Sequence, residues 1–355
     1  MSSDDAPNFA GAACPAPLRD RDVVLLGHGS GGRLTAELLE RIVLPSLSNP
    51  TLDALDDAAL LRLASGERVA FTTDSYVVSP IFFPGGDIGE LAVNGTINDL
   101  AVSGARPIAL SLAFILEEGF PLDDFRRVVD SVKNAAARAR VPVVTGDTKV
   151  VNHGSGDGVF INTSGVGLVP DGVSVGSAFV REGDAILVSG TIGDHGVAIL
   201  AQRQGLQLRG ELVSDTAALH ELTRDLLEVC PRIHAMRDPT RGGLAATLVE
   251  IASRRRLGVE VYESALPVRE EVRGACEILG LDPTMVANEG KLVAFVPDED
   301  ASAVLDAMRA HPLGRNAARI GTVTSEHAGM VVVRTPFGST RVLDLPLTEP
   351  LPRIC

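Results

Sequence analysis

Four aspartates stand where apolar runs give way to turns. They are Asp57 in Asp56-Asp57, Asp74 after Val69-Ala70-Phe71-Thr72-Thr73, Asp99 in Asn98-Asp99-Leu100, and Asp147 in Thr145-Gly146-Asp147. Each alone fits a turn former or a helix cap. As a set they suit a divalent cation, because magnesium takes hard oxygen ligands and is commonly shared between a few carboxylates and substrate phosphates. Burying that much like charge without a cation would be costly. Thr148 and Lys149 follow Asp147 directly. The lysine can act as a point charge on a transferring phosphoryl group or a developing oxyanion, and it equally fits a surface hairpin.

Gly27-His28-Gly29-Ser30-Gly31-Gly32-Arg33 places glycines after an apolar run and before a helical one. The spacing matches the dinucleotide fingerprint G-x-G-x-x-G, which needs a carboxylate about 20 residues on, at the end of a second parallel strand. Here that stretch is Leu47-Ser48-Asn49-Pro50, which is turn-like, and the nicotinamide reading weakens. A loop whose amides approach phosphate stays open, as does a plain turn. Glu289, in Asn288-Glu289-Gly290-Lys291 before an apolar strand, fits a general base or a solvated turn residue. Asp238-Pro239-Thr240-Arg241-Gly242-Gly243 reads as a loop capping the next helix, and His195 as part of another capping loop.

The chain closes on Leu351-Pro352-Arg353-Ile354-Cys355, behind Pro346 and Pro350. Proline favours extended backbone, so the segment from Leu345 to Cys355 reaches on the order of 30 Å at roughly 3 Å per residue. Sulfur on such an end can carry a covalent group into another site, although an ordinary terminus would look the same. The other cysteines, Cys14, Cys230 and Cys276, show no C-x-x-C pairing and no zinc-like spacing. Cys230 and Cys276 read as packed core thiols, and a reducing cytoplasm fits this usage.

These groups have to be positioned by mixed helices and strands. The expected strands are Asp22 to Leu26, a hairpin of Ala58 to Leu63 with Arg68 to Thr73, Pro107 to Leu116, and Pro142 to Thr145. Between them fall helices Leu34 to Leu44, stopped before Pro45, then Ile88 to Ser103 and Leu122 to Arg140. A second alternating set runs from Arg181 to Arg334. The pattern predicts an α+β fold. It divides into an arm (1–20), an N-terminal domain (21–172), a C-terminal domain (173–344) and a tail (345–355). At 355 residues the chain suffices for two domains. A formal charge of −14 with no Trp and two Tyr argues against nucleic acid, whose phosphates and bases need clustered cations and aromatic platforms. No stretch of about 18 uncharged apolar residues appears, which argues against a membrane span, and the first twenty residues lack the features of a signal peptide.

Together the glycine loop, Asp56-Asp57, Thr72-Thr73-Asp74, Asn94 to Leu100, Gly146 to Val150, Asp238 to Gly243, Asn288-Glu289-Gly290 and Pro352-Arg353-Ile354-Cys355 resemble the HypE family of hydrogenase maturation factors. These are carbamoyl dehydratases of an ATP-using superfamily that includes aminoimidazole ribonucleotide synthetase, selenophosphate synthetase and thiamine-phosphate kinase. The similarity runs from about Val23 to Cys355, and the terminal motif separates HypE from its relatives. A selenophosphate synthetase would carry a reactive Cys or selenocysteine near the glycine loop, whereas Cys14 lies in the arm.

The resemblance implies a two-domain aminoimidazole ribonucleotide synthetase-like fold, with a β-barrel shared between the N-terminal domains of a homodimer. It implies that Gly31, Gly32, Asp57, Asp74, Asn98, Asp99, Gly146, Asp147 and Thr148 bind ATP, and that Asp57, Asp74, Asp99 and Asp147 hold Mg²⁺. Cys355 would receive a carbamoyl group from the carbamoyltransferase HypF. ATP would turn the carbonyl oxygen into a phosphate leaving group, with Lys149 stabilising charge and Glu289 removing the N–H proton. The resulting thiocyanate would pass to a HypC–HypD scaffold as cyanide for nickel–iron hydrogenase. Two other readings share the motifs: a small-molecule kinase of the thiamine-phosphate kinase type, and a non-catalytic carrier.

Overall fold

The structure, a computed structural model, describes residues 23–206, 210–345 and 353–355. The expected arm and the tail's prolines at 346, 350 and 352 lie outside the described residues.

A short 3-10 turn (Leu26–Gly29) leads into α1 (Arg33–Leu38), a π-helical turn (Leu39–Val43) and α2 (Leu44–Leu47). This corrects two expectations. Val23, Val24 and Leu26 are exposed and residues 23–26 pair with no described strand, so their apolar run forms no sheet. The helix also continues past Pro45. Proline lacks an N–H and crowds the carbonyl four residues back, and the wider π turn just ahead of it, with Leu44 donating to Leu39, relieves that crowding.

Then follow β1 (Ala59–Arg62), β2 (Arg68–Tyr76), the small hairpin β3 (Phe82–Phe83) and β4 (Gly86–Asp87), α3 (Ile88–Val102), β5 (Arg106–Glu117), α4 (Leu122–Ala139), β6 (Val143–Val151) and β7 (Val159–Val169). The sheet order is β1-β2-β7-β5-β6, antiparallel except where α4 carries the chain across from β5 to a parallel β6. Asp87 caps α3 by accepting from the Gly89 and Glu90 amides at 2.7 and 3.1 Å. α3 is buried almost all round, against β2, β7, α4 and, from the second half, α6. α4 turns Val128, Val132, Ala135, Ala136 and Ala139 inward, the three-and-four spacing of an amphipathic helix.

Strand alternation sets the two faces of this sheet. Ala70, Thr72 and Tyr76 of β2 are buried under α3. The other face carries Phe71 and Ile115, both exposed, with Asp147 and Lys149 of β6 in register beside Ala113 and Ile115, and β6 is open along nearly its whole length.

The second half holds β8 (Ala185–Val188), α5 (Asp194–Gln204), α6 (His220–Val229), β9 (Ala235–Arg237), α7 (Gly243–Arg255), β10 (Gly258–Tyr262), α8 (Glu270–Leu279), β11 (Val293–Val296), α9 (Ala301–Ala310), β12 (Ala318–Thr324), β13 (Val331–Arg334) and β14 (Thr340–Leu343). Its sheet runs β14-β13-β10-β12-β8-β11-β9, with β10 and β13 parallel. β8 and β11 are buried on both faces and read as continuous apolar runs. Core clusters join the halves: Leu100, Val102 and Val169 pack with Leu219, Leu222 and Met236. No helix among the described residues is long and apolar enough to cross a membrane.

Candidate active site

The carboxylates gather at the seam between the halves. Asp57 precedes β1, Asp99 projects from α3, and Asp238 follows β9. One oxygen from each lies within 4.8 Å of the others. Thr72 of β2 places its hydroxyl 2.7 Å from Asp99 Oδ2 and 2.9 Å from the Asp57 carbonyl. A hydroxyl has one proton, so both contacts are hydrogen bonds only if Asp99 also holds one. Burial, then Asp238, Asp74 and Asp57, push Asp99 well above the usual carboxylate range. Asp238 is pushed up to about 6, chiefly by burial and against the pull of Arg237. Arg237 Nε sits 2.7 Å from Asp57 Oδ2 and balances only part of the negative charge. Hard oxygen donors, crowded and short of countercharge, fit a magnesium ion.

Asp74 shares the inward face of β2 with Thr72 and Tyr76, and its charge acts on Asp99, Asp238, Tyr76 and Glu289. It lies inside the strand, which runs on to Tyr76, rather than after its end. Glu289 is 2% exposed, and its Oε1 has no hydrogen-bond partner. Burial, then Asp215, Asp238 and Asp74, raise its pKa well above normal, while Arg241 works the other way. Its backbone N–H donates to Asp215 Oδ1 at 3.0 Å, and Lys291 pairs with Asp215 Oδ2 at 3.0 Å. Burial would raise Asp215, but Lys291 and the Glu289 amide hold it below its ordinary value. Only glycine fits next in the chain, because a Cβ on Gly290 would stand 1.8 Å from the Asp215 carbonyl oxygen.

The glycine loop lies over this seam. Gly31 has φ +80°, and a Cβ there would come within 2.7 Å of Arg241 Cβ. Arg241 in turn donates to the Gly29 carbonyl at 3.3 Å. Gly32 is buried and precedes the first turn of α1.

Three expectations are corrected. Asn98 does not face the cleft. It is fully buried, donating to the carbonyls of Ala217 (3.0 Å) and Glu289 (3.1 Å) and accepting from the Leu219 amide (2.8 Å), so it ties loops together. Gly146, Asp147, Thr148 and Lys149 do not end a strand; they are the middle of β6, in parallel register with Leu112 to Ile115. Within one chain Asp147 and Lys149 also stand apart from the acidic cluster, a matter of placement that leaves their expected roles to an assembly of two chains. They face outward on the exposed edge strand and pair with each other, Nζ to Oδ2 2.7 Å, while Asp238 joins Asp57 and Asp99 in the cluster.

Cys355 enters the cleft. Val77 donates its amide to the Cys355 carbonyl at 2.9 Å, and Ser79 donates to that of Arg353 at 3.2 Å. Ile354 is 2% exposed. Cys355 is the largest influence holding the Arg241 guanidinium charged, ahead of Asp74, Glu289 and Tyr76. Arg353 pairs with Asp157, and Arg203 donates to the Arg353 carbonyl. Sequence reasoning passed over Arg203 and Tyr76 and gave His195, Asp238 and Arg241 only local capping roles. For Asp238 and Arg241 the available signal was their place in the Asp238 to Gly243 motif.

Residues 55–169 match the family model for AIR synthase related protein, N-terminal domain, and residues 181–334 match that for its C-terminal domain. The class is therefore the two-domain AIR synthase-related proteins. A thiamine monophosphate kinase from Aquifex aeolicus shares the fold, with TM-score 0.62 and 21% identity over 86% of this chain and 100% of that one. The carbamoyl dehydratase HypE of Azotobacter vinelandii is 55% identical over 338 residues, 95% of this chain and 98% of the relative. That of Cupriavidus necator is 54% identical over 330 residues, 93% and 94% of the two chains. Among solved structures, a HypE in complex with ATP aligns at TM-score 0.79 and 50% identity, covering 94% of this chain and 100% of that one. A HypE–HypF complex aligns at 0.83 and 44%, covering 87% and 99%. The chain belongs to the HypE family of carbamoyl dehydratases.

Proposed function

We propose that this chain uses ATP to dehydrate a carbamoyl group carried on its own Cys355, supplying cyanide for the nickel–iron hydrogenase site. The observation that carries this reading is the docking of Cys355 at the end of β2, its main chain bonded to Val77, where its charge acts on the same Arg241 guanidinium as those of Asp74 and Glu289. The overall change is Cys–S–C(=O)–NH2 plus ATP to Cys–S–C≡N, ADP, phosphate and a proton. ATP supplies the phosphoryl group that makes the carbonyl oxygen a leaving group. Asp57, Asp74, Asp99 and Asp238 would hold Mg²⁺, and the Gly31-Gly32 loop would close over phosphate. Glu289, buried with a free oxygen and a raised proton affinity, would take the nitrogen-bound proton as the C–O bond breaks.

Lys149 and Asp147 face away from this cleft in their own chain, on an open sheet face that also exposes Phe71 and Ile115. This supports a homodimer in which that face is covered by a second copy, building a barrel and bringing one chain's Lys149 and Asp147 to the other's cleft. HypF would load the carbamoyl group, as the solved HypE–HypF pairing suggests for this chain, and a HypC–HypD scaffold in the cytoplasm would accept the nitrile. A small-molecule kinase would have no use for a thiol seated where its acceptor should enter.

The test is mass spectrometry of the terminal peptide after carbamoylated protein meets MgATP. Loss of one water from that peptide is expected in the parent protein and not in Cys355→Ala. Retention of the intact carbamoyl group through ATP turnover overturns the reading.

A further inference from the structure

The tripeptide 353–355 is held by groups with no part in the dehydration chemistry. The carbonyls of Arg353 and Cys355 turn toward Ser79 and Val77, continuing the line of β2 beyond Tyr76. The carbonyl between them, that of Ile354, turns the other way and meets His195 Nε2 at 2.9 Å. That carbonyl can only accept, so Nε2 carries the proton. In a neutral ring Nδ1 is then bare and accepts from the Ser214 hydroxyl, 2.7 Å away. Phe83 stands edge-on to the imidazole, with ring centroids 5.5 Å apart. His195 is wholly buried, and burial favours the uncharged ring. Arg353 takes φ +60°, a left-handed conformation that disfavours an L residue, so the docked turn has to be held in place by such contacts.

We propose that His195 is the catch for the sulfur-bearing end of the chain: a positioning residue whose Nε2–H holds Ile354 down and thereby sets how Cys355 divides its time between the cleft and solvent. The proposal rests on the reading of Cys355 as carrier only for its consequence in the reaction cycle. A docked thiol is ready for dehydration and shielded from any protein that must load it. Weakening the catch therefore moves the two half-reactions in opposite directions. A merely structural role for His195 would slow both.

The experiment follows alkylation of Cys355 by iodoacetamide, residue by residue, in the parent protein, His195→Ala and His195→Gln. Loss of one hydrogen bond is expected to raise the Cys355 rate about five- to tenfold in His195→Ala. Gln, whose side-chain amide can still donate to the Ile354 carbonyl, should return most of the way to the parent rate. Cys230 and Cys276, both buried, serve as internal controls, and their rates should not change. If they rise in His195→Ala, that variant has opened globally, and His195→Gln and Ser214→Ala then decide the matter by the same Cys355 rate. An unchanged Cys355 rate in a folded variant overturns the catch. In parallel, carbamoyl loading should quicken and water loss should slow in His195→Ala; slowing of both overturns it as well. If alkylation responds as expected while even the parent protein never loses water, the catch stands and the functional reading falls.

Discussion

Val77 gives its backbone N–H to the carbonyl of Cys355 at 2.9 Å, so the last residue of the chain lies alongside the strand that carries Thr72, Asp74 and Tyr76. The same β2 backbone that presents a carboxylate to the cleft also aligns the sulfur-bearing tripeptide. Ile354 supplies the apolar anchor, packed with Phe83, Val197 and Ala198.

Ile354→Ala should therefore weaken docking rather than folding. Truncating a buried isoleucine costs about 2 kcal/mol or more. Nitrile formation at limiting tail occupancy should fall about tenfold or more, while the melting temperature of the two domains stays close to that of the parent. Single-turnover mass spectrometry and a thermal melt check the pair of outcomes.

Glu289→Gln keeps the shape of the buried side chain and removes its ability to take a proton. Loss of a positioned base is expected to slow elimination by about 10²- to 10⁴-fold. The backbone bond from residue 289 to Asp215 survives the change, so ATP binding measured by calorimetry should be nearly unaltered.

The acidic cluster makes a signed prediction about pH. Burial and mutual repulsion hold the folded-state pKa values of Asp99 and Asp238 above the ordinary aspartate value of 3.8, with Asp238 near 6. The native state therefore binds more protons than the unfolded one. Stability from these groups is full below about pH 4 and is lost as pH rises through 6 and beyond. With chelator present, the melting temperature should drop across that window, and millimolar MgCl2 should restore it. Asp99→Asn should flatten the drop and blunt the magnesium effect, which differential scanning fluorimetry can follow.

Separation of Lys149 from the cleft within one chain leads to a mixing experiment. Lys149→Ala and Cys355→Ala are each expected to be inactive alone. In the homodimer proposed above, refolding or co-expressing them together would give mixed pairs in which one cleft has a Cys355 from one chain and a Lys149 from the other. Partial activity in the mixture, with none in either homodimer, is the expected result.

Local patterning revealed much of this molecule. α3 and α4 stand close to the helices expected at Ile88 to Ser103 and Leu122 to Arg140, and the first hairpin joins the two strand-like runs expected to form it. β7 escaped because Asn162, Thr163, Ser164, Gly165 and Gly167 dilute its apolar signal; its alternation makes sense only once α3 covers one face. β6 seemed to stop at Thr145 because Gly146-Asp147 is a common turn pair, yet pairing with β5 carries it to Val151. Asp57, Asp74, Asp99 and Glu289 were all identifiable and do converge. Asp238 and Arg241 stood in a recognised motif without a site role, and His195 had no signal at all, since nothing nearby in sequence hints that it will meet a residue 159 positions away.

Arg241 donates to the Gly29 carbonyl and is held charged chiefly by Cys355. A single guanidinium thus senses both the flap above the cleft and the passenger inside it. Free-energy coupling between two occupants is reciprocal. If nucleotide under the flap steadies the sulfur, then a seated sulfur must strengthen nucleotide binding by the same factor. Such a protein would hold ATP most firmly when it has a group to spend it on, which discourages idle hydrolysis.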